Sequence, residues 1–136
     1  MIFAIKAEIC DLAAETLVFL EQRTMYGGKL IAVGDTIFVF ASENEGGPGL
    51  IGRGVITAAT EVPRTPGIAR QTPCVNLTIS ITARVKRRLG RRELKPFSKW
   101  NDGRPETELN FKYYRQATNK VIGISDAAAA FLSSYF

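Results

Sequence analysis

From Val75 to Arg87 the chain alternates without a break. Val75, Leu77, Ile79, Ile81, Ala83 and Val85 are separated by Asn76, Thr78, Ser80, Thr82, Arg84 and Lys86. A period of two puts one set of side chains in a core and the other in water, so this stretch is predicted to be a β-strand. Two more strands are expected upstream: Thr36–Ala41, a β-branched and aromatic run behind the turn signal Val33-Gly34-Asp35, and Leu50–Val62, returning antiparallel with Gly52 and Gly54 marking a bulge or a close backbone approach. Ile2–Ile9 alternates less cleanly, with Phe3, Ile5, Ala7 and Ile9 on one face, and predicts a first strand. Asp11 can cap a helix, and Leu12, Ala13, Thr16, Leu17, Phe19 and Leu20 recur at three, four and seven. That spacing predicts a short amphipathic helix ending before Tyr26-Gly27-Gly28. Residues 88–110 hold no period and contain Gly90, Pro96, Gly103 and Pro105, which suggests a long loop with short irregular pieces. Leu109–Arg115 and Lys120–Ile124 suggest short strands, and Ser125-Asp126 caps a last helix that turns Phe131, Leu132, Tyr135 and Phe136 inward. Without a repeat or a linker, residues 1–136 are expected to form one α+β domain.

Composition narrows the function more than the fold. The 136 residues are 46% hydrophobic and 23% charged, which is ordinary for a globular protein. No apolar run approaches the roughly 20 residues that cross a bilayer, and Met1–Ile5 lacks the basic start and long apolar stretch of a signal peptide. A cytoplasmic protein with no membrane partner is expected, its two cysteines, Cys10 and Cys74, reduced. The chain has no histidine, so histidine triads are excluded, and so is the commonest metal ligand. Asp35, Glu43 and Glu45 lack the spacing of a calcium loop, and no cofactor or metal is expected. Catalysis through Ser98 with Lys95 or Lys99, or through Cys10 or Cys74 beside a carboxylate, stays open, but no spacing favours it. The expectation leans away from an enzyme.

Charge is where the two halves differ. Residues 1–68 carry five basic and eight acidic side chains, whereas residues 69–136 carry thirteen and five. Most of that excess lies in Arg84, Lys86, Arg87, Arg88, Arg91, Arg92, Lys95 and Lys99, opposed within the tract only by Glu93. Phosphate neutralisation needs several cations on one surface, so the tract is a candidate nucleic-acid backbone site. Phe97, Trp100, Tyr113 and Tyr114 lie among or near the cations, as stacking surfaces for bases would. A basic face meeting an acidic protein partner is the alternative, with a small nucleotide-acting enzyme behind it. Gly47-Pro48-Gly49-Leu50-Ile51-Gly52 spells a dinucleotide fingerprint, but a β-rich run follows it where a helix is required, and a hairpin loop is expected. Asn76-Leu77-Thr78 lies inside a predicted strand and is set aside as a glycosylation acceptor.

The order of elements, with the Gly34-Asp35 turn, the Thr36–Ala41 strand ending at Ser42, and Leu50-Ile51-Gly52-Arg53-Gly54-Val55-Ile56, resembles the EVE-type branch of the PUA-like superfamily, whose relatives include YTH and ASCH domains. The resemblance covers mainly residues 26–62. It implies a mixed, mostly antiparallel β-barrel with flanking short helices, and recognition of RNA or of a modified nucleobase in a pocket at the barrel mouth. By position, Tyr26, Gly27, Gly28 and Lys29 match the family's pocket-lining segment, and Ser42, with Glu43 and Asn44 beyond it, matches the strand-end serine at the pocket rim. Two departures stand out: Ala4-Ile5-Lys6 where the family has a tryptophan near the first strand, and Tyr26 where a tryptophan is common. Trp100 could supply the missing aromatic if its loop folds over the pocket. Asn44, Gln116 and Asn119 offer the paired donor and acceptor that base edges require. The partner implied is RNA, DNA or a modified base, and the apolar end Phe131–Phe136 allows a homodimer.

Overall fold

A computed structural model describes residues 2–99, 101–116 and 119–136, the side chains of 115 and 116 excepted. Six strands close into a barrel in the order β1-β3-β4-β5-β2-β6, where β1 is Ile2–Ala7, β2 Thr16–Met25, β3 Thr36–Ala41, β4 Gly49–Glu61, β5 Cys74–Arg84 and β6 Val121–Ile124. The sheet is mixed. β1 runs parallel to β3 and β2 parallel to β6, and the other four pairings are antiparallel. Closure leaves no unpaired edge, and it fills the barrel with the inward residues Phe3, Ile5, Leu17, Phe19, Ile37, Val39, Ile56, Leu77 and Ile79.

A second apolar cluster lies outside the barrel wall, where Ala4, Phe38, Phe40 and Ile122 meet Leu89, Leu94, Leu109, Tyr113, Ala128 and Leu132. These come from α1 (Arg91–Leu94), α2 (Pro105–Asn110), a π-helical turn (Phe111–Gln116) and α3 (Asp126–Ser133), together with the loop ahead of α1. The helices therefore cover β1, β3 and β6. Burial on both faces explains why β1 and β3 read as continuous apolar runs, whereas β5, wet on its outer face, alternates. Phe131, Tyr135 and Phe136 pack against this second cluster half-buried, and Ser125 caps α3 by accepting the Ala128 N–H.

Two expected elements take the other form. Leu12–Leu20 is not a helix, because Thr16 onward is β2: Leu17 and Phe19 fill the barrel while Val18 and Leu20 face water. The three-and-four spacing was also compatible with alternation from Leu17, and pairing with β5 decides it. Leu109–Arg115 is helical, not extended, since Leu109 and Tyr113 lie one helical turn apart and both enter the second cluster. The tract 88–110 holds two short helices, and the glycine fingerprint runs from a turn into the start of β4, with a strand where a helix would be required. Among the described residues, no helix is long and apolar enough to cross a membrane, and no group of acidic or cysteine side chains is placed to hold a metal ion.

Candidate nucleic-acid interface

The basic tract leaves the barrel at the end of β5. Arg84 points outward and donates to the carbonyls of Leu12, Ala13 and Ala14 at 2.6, 2.8 and 2.6 Å, so it pins the segment ahead of β2. Arg87 donates to the Ser134 carbonyl at 2.8 Å and lies 4.3 Å from the centre of the Tyr135 ring. Arg88 faces Glu93 at 3.6 Å in an exposed pair, which contributes little to stability. Lys86, Arg92, Lys95 and Lys99 are exposed, and among the described residues none of them makes an ion pair. Arg84, Lys86, Arg87 and Arg88 border an open groove of about 460 Å³, lined also by Leu12, Pro48, Leu50, Ile51 and Val85. Four cations of the tract thus border one groove, although Arg84 and Arg87 also hold the fold together.

A second, more enclosed cavity of about 510 Å³ lies where the ends of β2 and β4 meet the start of β5 and the loop 62–73. Arg23, Lys29 and Arg64 supply cations, Glu21 and Glu61 carboxylates, and Val62, Pro63, Pro73 and Val75 apolar wall. Gln71 braces the loop by accepting the Thr65 N–H at 2.8 Å and donating to the carbonyls of Thr65 and Ile68. Among the described residues, the two non-glycine residues with positive φ both flank this region. Glu21 (51°) sits at a bulge in β2 and donates its N–H to Asn76 Oδ1 at 2.8 Å, and Tyr26 (52°) precedes the turn that carries Lys29. Such conformations are uncommon and concentrate at ligand sites.

Of the expected pocket segment, Lys29 lines this cavity. Tyr26 is exposed with the Lys112 ammonium 4.8 Å from its ring centre, Gly27 begins the turn, and Gly28 packs against the Val121 carbonyl with no room for a side chain. Ser42, Glu43 and Asn44 lie elsewhere. The Tyr26 carbonyl accepts the N–H of Gly123, which pairs with Phe3, whereas the Ser42 N–H bonds Ala7. Four residues of β1, about 13 Å, separate those anchor points. The groove and the cavity are also apart: the cavity meets β5 at Val75 and the groove at Arg84, about 30 Å of strand further on. Trp100 lies outside the described residues, as does the Gln116 side chain.

Around Ser42 the structure assembles a polar cluster that the sequence did not announce. Lys6, 2% exposed, donates its ammonium to the Tyr113 carbonyl at 2.7 Å and lies 4.2 Å from the centre of the Tyr114 ring. Burial pulls this lysine down to about 8, partly opposed by Glu43 and reinforced by Arg91. Glu43 accepts the Tyr114 hydroxyl at 2.5 Å and the Arg91 N–H at 3.0 Å, and Asn44 is exposed. The hydroxyls of Ser42 and Tyr113 and the Asn119 Oδ1 are buried with no hydrogen-bond partner among the described residues. A lone lysine between Ile5 and Ala7 in an otherwise apolar strand was the available signal.

No protein-family model and no curated protein sequence matches this chain. Solved structures do. The DUF55 domain of human thymocyte nuclear protein 1 superposes with a TM-score of 0.68 at 16% identity, over 98% of this chain and 97% of that one. Human THYN1 protein in complex with 5-methylcytosine-containing DNA gives 0.67 at 15% identity, over 98% and 95%. A protein from Pseudomonas putida gives 0.65 at 15%, over 99% of each chain. At these identities the likeness is one of fold, and that fold is the closed, mixed six-stranded barrel with short flanking helices that the sequence led us to expect.

Proposed function

We propose that this chain is a non-catalytic nucleic-acid-binding domain, in which the Arg84–Lys99 tract holds the phosphate backbone and the cavity beside Lys29 receives a modified base. The observation that carries the reading is the groove bordered by Arg84, Lys86, Arg87 and Arg88, together with Lys86, Arg92, Lys95 and Lys99 being exposed and, among the described residues, making no ion pair. Backbone binding requires cations that are not already neutralised, on a surface open to a polymer. The solved complex of THYN1, which has this fold, with 5-methylcytosine-containing DNA supports a nucleic-acid partner and points first to DNA. For the base, Val62, Pro63 and Val75 offer apolar contact of the kind a methyl group needs, and Arg23, Lys29 and Arg64 offer donors to its acceptor atoms. Ser42 and the Lys6 cluster are closed to solvent, which leaves the cavity as the better receptor. Two free cysteines suit the reducing cytoplasm.

The test is a salt titration of DNA affinity, with and without 5-methylcytosine. Affinity should fall steeply with salt, and K86A/R88A/R92A/K95A should weaken all sequences alike, by roughly tenfold or more, with a shallower salt slope. Lys29→Ala and Arg64→Ala should instead alter the preference for the methylated base. Affinity that ignores salt would remove the backbone site, and an unchanged preference would remove the base site.

A further inference from the structure

The helices cover the outer faces of β1, β3, β6 and the start of β4 at Leu50, and they leave the outer face of β2, β5 and the later part of β4 bare. Register aligns Val18 with Thr78 and Thr78 with Ala58, and sets Asn76 beside Thr60. These five carry no charge, and Val18 and the neighbouring Leu20 are 63% and 66% exposed, the two most exposed β-strand positions among the large apolar residues. The cavity closes one end of this face and the basic groove begins at the other. Both draw on the same three-stranded region: β2, β4 and β5 line the cavity, while β4, β5 and Leu12 ahead of β2 line the groove.

We infer that this neutral sheet face is the track along which a polynucleotide passes from the cavity to the cationic groove, so that the ligand is a nucleic acid of about nine base pairs or more and not a free nucleotide. The inference rests on the nucleic-acid reading above and adds its path and length. About 30 Å of β5 separates Val75 from Arg84, and duplex DNA advances about 3.4 Å per base pair. A mononucleotide in the cavity cannot reach the groove. A polymer can engage both, and joining two weak contacts on one molecule multiplies their effect. The face suits a track because its five paired positions hold no carboxylate to repel phosphates, Glu21 and Glu61 standing at its cavity end, and Val18 and Leu20 offer apolar contact to sugars.

The experiment measures affinity for fluorescein-labelled DNA duplexes, each with one 5-methylcytosine, in lengths from 4 to 16 base pairs. It compares the natural chain with V18E/L20E and V18K/L20K, both at exposed positions and both checked for folding by circular dichroism. Affinity should rise roughly tenfold or more up to about nine base pairs and then level off. V18E/L20E should weaken the long duplexes only, and V18K/L20K should strengthen them, an effect that misfolding cannot imitate. Levelling at four or five base pairs with both variants neutral would overturn the track and leave the nucleic-acid reading standing. A change confined to self-association, seen by sedimentation, would overturn it in favour of a dimer face. Failure of every duplex to bind would overturn the nucleic-acid reading itself.

Discussion

The Glu43 carboxylate accepts the Tyr114 hydroxyl at 2.5 Å and, through the same group, the backbone N–H of Arg91, joining three segments that are 71 and 48 residues apart in sequence. It links the turn after β3, the π-helical turn and the first residue of α1, so the start of the basic helix is fixed to the barrel by one side chain. Gly90 is part of the arrangement, since a side chain there would meet the carboxylate at 2.9 Å. Tyr114→Phe should lower unfolding stability by about 2 kcal/mol in a denaturant titration, as expected for a hydrogen bond to a charged group. Glu43→Ala should cost more and should speed hydrogen exchange at the α1 amides, because the Arg91 N–H loses its acceptor as well. Equal exchange rates in the two chains would show that α1 is held by packing alone.

Lys6 makes stability depend on pH in an unusual direction. Its folded-state value of about 8 lies below the ordinary lysine value near 10.5, so between those limits the unfolded chain holds a proton that the folded chain has released. Stability should therefore climb as pH rises from about 8 toward 10, the cost of burying the ammonium being fully present below 8. Burial pushes the Tyr113 hydroxyl up, and burial with the bond to Glu43 pushes Tyr114 up. Above about 10 the unfolded chain loses tyrosine protons that the folded chain keeps, and the curve should turn down. Denaturant midpoints measured across this range should show the rise in the natural chain and lose it in Lys6→Met. The same rise in both would place the titration elsewhere.

Gly49, the second glycine of the apparent dinucleotide fingerprint, is needed for a different reason. Its φ is +89°, it pairs with Ala41 at the mouth of the β3–β4 hairpin, and a β-carbon on it would overlap the Leu89 carbonyl. Gly49→Ala should destabilise the fold by about 3 kcal/mol, combining left-handed backbone strain with a clash against main chain. Gly46 has a similar φ of +84° with open space around it, so Gly46→Ala should cost about 1 kcal/mol, the backbone part alone. Thermal melts of the two variants separate these contributions.

How much the sequence disclosed depended on whether one chain segment answered to one environment. β5 alternates because one face is core and the other is wet, and β3 is a solid apolar run because helices cover its back; both were legible. The 109–115 segment was not, because its aromatic residues fit a strand as well as a helix, and only the second cluster, assembled from distant segments, makes Leu109 and Tyr113 share a face. The basic tract was readable as charge, but sequence could not show that Arg84 and Arg87 spend their guanidinium groups on carbonyls. Nor could it show that Lys29 and Ser42 part company, since that separation follows from strand register alone.

β2 gives the sharpest check on the fold, because helix and strand make opposite demands on consecutive residues. In the strand, Leu17 and Phe19 lie in the barrel core while Val18 and Leu20 face water. An amphipathic helix over residues 12–20 would place Leu17 and Leu20, three apart, on one buried stripe. Phe19→Ala should therefore cost about 3–5 kcal/mol, the range for removing a buried phenylalanine, and Leu17→Ala about 2–5 kcal/mol. Leu20→Ser should change stability by no more than about 0.5 kcal/mol, as surface substitutions do. If Leu20→Ser proved as damaging as Leu17→Ala in urea unfolding, the two side chains would share a buried face and the strand assignment of β2 would fail.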